Sequence, residues 1–363
     1  MTVTLPHDLD AWLDTNAQVL DTTAAGTELL PRLAGADLYR IGVPSHLGGA
    51  GGDVRGAVEA IAAVSRRSLA AGFVFWGHRT FIEYLLQSPN GALRDQLLPD
   101  LLAGHRAGAT GLSNAMKFLS GLEQLQVRAR RVDAGLRIDG KLPWVTNLQP
   151  AGFDVAAAIE GDGHQPAFVA SLASEDDGLT RSPDLALMAM RATSTAAIDL
   201  DDVRIGPERI LHPNASEWLP KVRPAFLGLQ CAMSIGLAQR ALDEVRARLA
   251  GGRDVLAQPA ETLADHLAHA TAQLLADLPG QGFIKRPDQL FRLRIRLAEI
   301  AAEAVQLELS ATGGKAYLSA PGEGFQRRLR EVAFIPIITP SLVQLKTALD
   351  GHEQRRLAVG DTA

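Results

Sequence analysis

The sequence predicts an α+β fold of three consecutive parts. Residues 1–107 carry apolar residues at helical spacing, residues 108–212 break into short segments of β character, and residues 213–363 return to the helical pattern. At 363 residues the chain is long enough for two or three domains, each with a buried core. Its composition, 47% hydrophobic and 21% charged, is typical of a folded globular protein.

The first part reads as helices separated by short breaks. Five segments have apolar residues on one helical face: 9–20, 29–38, 54–64, 68–86 and 93–102. The second and third are separated by residues 42–52, where several glycines and a proline predict a loop because they are incompatible with a regular helix.

The middle part reads as an antiparallel β domain. Its strand-like segments are 125–129, 136–139, 155–159, 167–172 and 196–200. Turn-forming Gly, Asp and Pro residues separate them. The segments are too short and too close together to have helices between them, which predicts antiparallel pairing.

In the last part, residues 220–249 are apolar or small on nearly every side, as in a helix buried inside a bundle. Further helices are predicted over 260–278, 287–310 and 341–350.

Charge and cysteine content exclude several classes of function. The net charge of −5 and the absence of a long basic block argue against a nucleic-acid partner. No apolar run approaches the roughly 20 residues that span a bilayer, and no secretory signal begins the chain, so we expect a cytoplasmic protein without a membrane partner. The single cysteine, Cys231, can form neither an internal disulfide nor a thiolate metal site, and His266 and His269 lack a third ligand. No metal is therefore predicted.

Six segments of the sequence stand in an order that points to one family. They are residues 43–51 (VPSHLGGAG), 140–147 (GKLPWVTN), 191–195 (RATST) leading into 199–205 (DLDDVRI), 223–224 (RP), 236–242 (GLAQRAL), and 313–314 (GG) with 327–333. Together they resemble the acyl-CoA dehydrogenase superfamily over roughly residues 40 to 345. The resemblance implies an N-terminal helical domain, a central β-barrel-like domain and a C-terminal four-helix bundle, with a flavin between the last two.

The resemblance also implies which residues hold the flavin ring. Trp144 and Thr146 match the positions that pack beside the ring and hydrogen-bond its edge, and Leu112 with Ser113 matches the segment that covers its pyrimidine side. Trp144 has an alternative interpretation as a core residue of the β domain. The segment that begins at Ser113 departs from the family pattern, which leaves the identity of the substrate open.

Gly313 and Gly314 match a glycine pair whose backbone amides contact the flavin pyrophosphate across a subunit interface. This implies FAD as cofactor and a homodimer or homotetramer. A simple helix-terminating Gly-Gly is the alternative. The family's other adenine-side motif is poorly kept at residues 253–257, so FMN is the alternative cofactor.

The residue that acts as base in a dehydrogenase is missing. Such an enzyme removes a proton α to a thioester, which requires a carboxylate close to that proton. The family's glutamate position is occupied by Thr339, and the second position used by some members is occupied by Val222. A neutral hydroxyl cannot take a proton from carbon without a base of its own. Glu331 and Glu323 are the nearest acidic residues that could replace it.

Two further residues are candidates for catalysis. Arg223 matches a family arginine near the active site, with a salt bridge inside the bundle as its alternative role. His78 lies on the helix that borders the substrate cavity in relatives, with a core or surface histidine as the alternative.

The sequence therefore predicts a flavin-dependent oxidoreductase, with three functions open. The favoured one is monooxygenation of a small molecule by reduced flavin and O2, with a flavin reductase as partner. Pro340 matches a proline frequent in that branch, whereas WVTN at 144–147 is closer to the dehydrogenase form. The alternatives are an acyl-CoA dehydrogenase with a relocated base, and a catalytically silent flavin or acyl-thioester binding protein.

Overall fold

The computed structural model describes residues 3–112, 115, 118, 124–132, 135–163, 165–250 and 252–360, with side chains up to residue 351. Five helices in the first part confirm the predicted helical pattern: α1 (His7–Thr22), α2 (Leu29–Gly35), α3 (Val54–Ser65), α4 (Leu69–Gln87) and α5 (Gly91–Ala103). The predicted loop at 42–52 contains only a short 3-10 turn and one isolated bridge.

Helix α4 is the central helix of the N-terminal part. Every residue from Leu69 to Leu85 is buried, including the ion pair of Arg79 with Glu83 at 2.8 Å. Ser68 caps it by accepting a hydrogen bond from the Ala71 amide at 3.3 Å. The helix packs against α1, α3, α5 and the first strand, so its side chains reach both the helical and the β part of the molecule.

Eight strands among the described residues form two four-stranded sheets. They are β1 (Ala107–Thr110), β2 (Val127–Val132), β3 (Gly135–Val145), β4 (Phe153–Ile159), β5 (Phe168–Ala173), β6 (Leu179–Arg181), β7 (Ala196–Ile205) and β8 (Ile210–His212). The strand orders are β1-β4-β5-β8 and β2-β3-β7-β6. All pairs are antiparallel except β1 with β4, which are parallel because the long connection between them passes through the other sheet. The sheets do not close into a barrel in the described part of the chain.

The end of β3 is fixed by an unusual backbone conformation. Asn147 has a φ of 63°, in the left-handed region that short polar side chains tolerate best. Its backbone amide donates to the Thr193 carbonyl at 2.9 Å, and its side-chain amide donates to the Gly108 carbonyl at 2.9 Å. Thr146, one residue earlier, is thereby held between two other segments of the fold.

The last part is helical, as predicted. It contains α6 (Ala215–Arg246), α7 (Ala257–Asp277), α8 (Gly282–Lys285), α9 (Pro287–Thr312), α10 (Ser319–Phe334) and α11 (Leu342–Gly360). Helix α6 begins five residues before the predicted start because Asn214 caps it, accepting from the Glu217 amide at 3.3 Å. Helix α9 packs against α6, α7, α10 and α11 and is the centre of this part.

A stretch over Ser319–Gly351 is apolar and long enough to resemble a membrane span by composition. It is not one continuous helix, because α10 ends at Phe334 and α11 begins at Leu342, with Pro336 and a cis Thr339-Pro340 bond between them.

Helices α3 and α6 cross very closely at Gly236, and this contact gives a first prediction. A Cβ atom at Gly236 would lie 2.1 Å from the Ala62 carbonyl oxygen, a backbone atom that cannot move alone. We expect Gly236→Ala to lower the free energy of unfolding by about 1–3 kcal/mol, measured by urea denaturation. Gly35→Ala is the matched control, since a Cβ there meets nothing within 4 Å. An equal loss in both variants would contradict the prediction.

Candidate functional site

A cavity of about 550 Å³ lies where the three parts of the chain meet. Its walls come from α4, from the β part and the loop before β7, and from α6, α10 and the turn after α10. Most lining side chains are aromatic or aliphatic. The polar or charged ones among the described residues are Thr110, Gln126, Thr146, Thr195, Arg330 and Thr339. No aspartate or glutamate is among the described lining residues.

Thr146 and Thr195 form the hydroxyl edge of the cavity. The Thr195 hydroxyl lies 3.1 Å from that of Thr146 and 2.7 Å from that of Thr193. Thr193 donates to the Met190 carbonyl at 2.7 Å, while the Thr146 hydroxyl is 3.2 Å from the Thr193 carbonyl. The Thr146 hydroxyl accepts from Thr195 and donates its own proton to the Thr193 carbonyl, so its second lone pair is the part left for a ligand in the cavity.

Thr146 reaches this place because α4 has no side chain opposite it. A Cβ at Gly77 would lie 3.0 Å from the Thr146 methyl carbon, so glycine allows the strand end to approach the helix. Trp144 also lines the cavity and is 61% exposed. It is not a core residue of the β part, and its free ring can pack against a ligand.

Of the other residues predicted to hold a cofactor, none that the structure describes lines the cavity. Leu112 is buried and does not line it. Ser113 lies outside the described residues. Gly313 and Gly314 lie away from the cavity, and a Cβ at either would meet nothing within 4 Å. Gly313 is nevertheless required by its backbone, which has φ 62° and ψ −150°, a region that is nearly exclusive to glycine.

Thr339 lines the cavity. Its carbonyl accepts from the Gln230 side-chain amide at 3.0 Å, and the Gln230 side-chain oxygen accepts from Nε of Arg294 at 2.8 Å. Arg294 also donates to the Ile335 carbonyl at 2.8 Å. These two polar side chains hold both ends of the turn Ile335–Thr339, whose side chains form one wall of the cavity.

Arg294 is fully buried and has no acidic partner among the described residues. Burial lowers its pKa, and its Nη1 atom has no hydrogen-bond partner. Burying an unpaired cation is costly. We infer that its place is determined by the two hydrogen bonds it makes to Gln230 and to the turn.

None of the predicted substitutes for the missing base reaches the cavity. Glu331 is buried elsewhere, accepting from Arg327 at 2.7 Å and from the Leu69 amide at 3.1 Å. Glu323 is exposed and does not line the cavity, and Val222 is buried outside it. The relocated-base alternative therefore finds no carboxylate among the described residues that line the cavity.

Arg330 is the only ionisable side chain among the described lining residues, and its charge is already paired. Its Nε and Nη2 atoms donate to Oδ2 of Asp21 at 2.9 and 2.6 Å. Oδ1 of Asp21, which is fully buried, accepts from the Met190 amide at 3.0 Å. One carboxylate of α1 thus ties α10 to the loop that carries Met188 and Met190 into the cavity.

Arg223 does not lie at the cavity, contrary to the expectation from the sequence. Its guanidinium lies over the Phe291 ring at 5.2 Å, and it has no ion-pair partner in the described part of the chain. Burial lowers its pKa. Neither the catalytic role nor the bundle salt bridge is supported, because the side chain turns towards α9.

His78 is a core residue and has no access to the cavity. Its Nδ1 atom accepts from the Gly108 amide at 3.0 Å, and its Nε2 atom donates to the Leu101 carbonyl at 2.9 Å. Both ring nitrogens are occupied, and the ring packs on Tyr39 at 4.1 Å. The catalytic role is wrong for a physical reason: this face of α4 meets α5 and β1, not the cavity.

Burial lowers the pKa of His78 to about 4, which makes stability depend on pH. Between about pH 6.5 and pH 4 the unfolded chain binds a proton that the folded protein excludes, so stability falls as the pH falls. We expect this histidine to contribute a loss of up to about 3 kcal/mol over that range. Urea denaturation at several pH values measures it. His78→Asn should be less stable at neutral pH but decline less in acid, and an unchanged decline would contradict the assignment.

No motif in the sequence marks the aromatic residues that line the cavity, which are Phe73, Trp76, Phe226 and Phe334. The same holds for Thr110, Gln126, Thr195, Met190 and Arg330. The one available signal was the concentration of aromatic residues at 73–76 in a helix that is buried on every side.

Parts of the chain are similar in sequence to known proteins. Residues 10–105 match the family model described as "Acyl-CoA dehydrogenase, N-terminal domain". The chain is 26% identical over 249 residues to benzylmalonyl-CoA dehydrogenase of Aromatoleum aromaticum, a match that covers 67% of this chain and 65% of that relative. The match thus spans slightly less than two thirds of the relative's length.

Two solved structures show the fold over nearly the whole chain. A glutaryl-coenzyme A dehydrogenase in complex with glutaryl-CoA has a TM-score of 0.80 at 16% identity, covering 96% of each chain. Dibenzothiophene monooxygenase from Paenibacillus sp. A11-2 has a TM-score of 0.74 at 16% identity, covering 93% of each chain. The same fold therefore carries both dehydrogenation and oxygenation in these similar proteins.

Proposed function

The chain belongs to the acyl-CoA dehydrogenase superfamily, and from this premise we propose that it is a flavin-dependent monooxygenase of a small molecule. One observation supports the proposal: no carboxylate is among the described residues that line the cavity, and Thr339 lines it at the position where the resemblance expects the base of a dehydrogenase. Without a base close to the α carbon of a thioester, α,β-dehydrogenation is not expected.

The cavity fits the ring of a flavin. Its volume, about 550 Å³, lies in the usual range of small-molecule sites, and its lining is mostly apolar with a few placed polar groups. Thr146 would hydrogen-bond the ring edge by exchanging its bond to the Thr193 carbonyl for one to the flavin, and Trp144 would cover one face. When bound in reduced form, the flavin would supply the two electrons and two protons with which one atom of O2 enters the substrate and the other leaves as water.

The chain's own residues would orient the substrate and exclude water. Phe73, Trp76, Phe226 and Phe334 form an apolar wall of the cavity, which would keep solvent from the reacting face. Thr339 lies in this part of the site as a neutral group, held by Gln230 through its carbonyl. It can hydrogen-bond a substrate without removing a proton from carbon.

The cofactor and the partners follow from the same proposal. FAD is favoured, with its pyrophosphate contacted by Gly313 and Gly314 of a second subunit, in a homodimer or homotetramer. Next to this glycine pair, Tyr317 is 88% exposed and Leu318 is 55% exposed, as expected of a surface that another subunit covers. FMN is the alternative, because residues 253–257 lack the family's adenine-side motif. A flavin reductase would supply the electrons.

The test begins with protein loaded with FAD or FMN under anaerobic conditions. Titration with butyryl-CoA and 3-phenylpropionyl-CoA is expected to leave the visible flavin band unchanged. With NADH, a flavin reductase and isotopically labelled O2, one labelled oxygen atom should enter an aromatic probe such as 2-naphthol.

Two outcomes would reject the proposal. Bleaching of the flavin by an acyl-CoA would restore the dehydrogenase and require a base outside the described residues. A protein that retains neither flavin would support the catalytically silent binder.

A further inference from the structure

We propose that the substrate is an uncharged aromatic or fused-ring molecule that carries one hydrogen-bonding substituent. This inference rests on the proposed function only in placing the substrate beside the flavin in the described cavity. Four features of the lining carry it: a continuous aromatic wall, a second wall with methionine sulfur atoms, an arginine whose charge is neutralised by an aspartate, and a hydroxyl donor.

The aromatic wall is made by four rings from three helices. Phe73 and Trp76 of α4 stack at 5.3 Å with an interplanar angle of 4°. Phe334 of α10 meets Phe73 edge-on at 4.9 Å, and Phe226 of α6 contacts Trp76 at 5.4 Å. Because each ring is held by another ring, the wall offers flat faces and edges in fixed orientations. Such a surface favours a planar ring over an aliphatic chain of the same size.

The loop before β7 supplies a second wall with sulfur atoms. Met190 is buried, and its backbone, with a φ of 61°, is held through its amide by Asp21. Met188 lies at the rim and is 75% exposed. Thioether sulfur makes favourable contacts with aromatic rings, so both walls prefer the same class of ligand.

The electrostatics of the cavity argue against an anionic substrate. Arg330 is the one cation among the described lining residues, and two of its nitrogen atoms are bonded to Asp21. The pair is neutral as a unit and leaves no net positive charge for a carboxylate or phosphate. An anion transferred into this apolar space would lose its hydration without a counter-charge.

The polar contact for the substituent is provided by Thr110. Its hydroxyl lies 3.1 Å from that of Tyr84, which is buried and does not line the cavity. Burial raises the pKa of Tyr84, so the phenol stays protonated. Two hydroxyls share one hydrogen bond between them, so when Tyr84 donates, the proton of Thr110 is free for an oxygen, nitrogen or sulfur atom of the ligand.

The experiment compares three probes of similar size by titration calorimetry on the flavin-loaded, oxidised protein. They are 2-naphthol, its saturated analogue decahydro-2-naphthol, and the anion 2-naphthoate. We expect 2-naphthol to bind at least about tenfold more tightly than either of the others. The saturated analogue loses the contacts between aromatic rings, and the anion must bury a charge, and each effect should weaken binding by about that factor. Equal or tighter binding of 2-naphthoate, or of the saturated analogue, would overturn the inference.

Variants of the aromatic wall test whether it causes the preference for 2-naphthol over its saturated analogue. Phe73→Leu and Phe334→Leu should each weaken 2-naphthol binding by about threefold to tenfold and leave decahydro-2-naphthol nearly unchanged. Trp12→Leu is the matched control, because Trp12 lies on α1 under Arg32 and lines no part of this cavity. If either leucine variant does not fold, as judged by circular dichroism, Trp76→Phe tests the same wall with a smaller change. An aromatic preference that survives in the folded wall variants would reject this wall as its source.

Calorimetry measures binding without turnover, so a failure of this inference can be distinguished from a failure of the proposed function. Tight 2-naphthol binding without any oxygenation would reject the proposed function only. Oxygenation without discrimination among the three probes would reject this inference only.

Discussion

Thr339→Glu is expected to turn the protein into a measurable acyl-CoA dehydrogenase. A carboxylate at this position would lie at the cavity wall, where the neutral hydroxyl of Thr339 now stands. A positioned general base contributes about 10²- to 10⁴-fold to proton removal. We therefore expect anaerobic bleaching of the flavin by 3-phenylpropionyl-CoA to be at least about 10² times faster than in the unmodified protein. The acyl group is aromatic so that it suits the wall formed by Phe73 and Phe334.

The pH dependence of this rate provides an independent check. An apolar cavity raises the pKa of an introduced carboxyl group, because burial disfavours its charged form. The rate should therefore rise with pH through that raised pKa. Thr339→Gln is the control of equal size, since an amide cannot accept a proton from carbon. Equal rates in the Glu and Gln variants, or in the unmodified protein, would contradict the missing-base explanation.

Asp21→Ala is expected to cause the largest loss of stability among single changes near the site. The carboxylate is fully buried and accepts hydrogen bonds from Arg330 and from the Met190 amide. Removing it leaves a partly buried guanidinium and a backbone amide without partners. Breaking a buried pair costs about 3–5 kcal/mol, and we expect the lower end because the Arg330 side chain is 26% exposed. Urea denaturation measures the change.

Two companion variants separate the pair from its surroundings. The double variant Asp21→Leu with Arg330→Met should lose less than the sum of the single changes, because it leaves no unpaired charge. Glu28→Ala removes the exposed partner of Arg32, whose ion pair spans 2.6 Å, and should change stability by less than about 1 kcal/mol. Equal losses of unfolding free energy in Asp21→Ala and Glu28→Ala would show that the buried ion pair contributes no more to stability than the exposed one. The Asp21 variant should also bind 2-naphthol more weakly, because Met190 loses its anchor.

Much of the fold could be predicted from local patterns. Apolar periodicity and the spacing of turn residues predict the helical, β and helical order, because burial of one face imposes these periods on each element. The absence of a carboxylate at Thr339 and at Val222 could also be read from the sequence, since an aligned motif assigns a position without a structure. The parallel pairing of β1 with β4 could not, because it depends on a connection that crosses between two sheets.

The site itself depends on contacts that no local pattern contains. His78 and Trp76 are two residues apart on α4, yet one is fixed between α5 and β1 while the other lines the cavity. Asp21 and Arg330 are separated by 309 positions, and their pairing depends on how α1 meets α10.

The sequence by itself determined the order of the elements, the family and the neutral residues at positions 339 and 222, because these follow from residue type and spacing. Only the tertiary structure decided that Arg223 turns towards Phe291, that Leu112 is buried away from the cavity, and that four aromatic rings form one wall. The physical reason is that the partner of a side chain depends on how distant segments pack. This packing must bury apolar groups and satisfy hydrogen bonds at the same time.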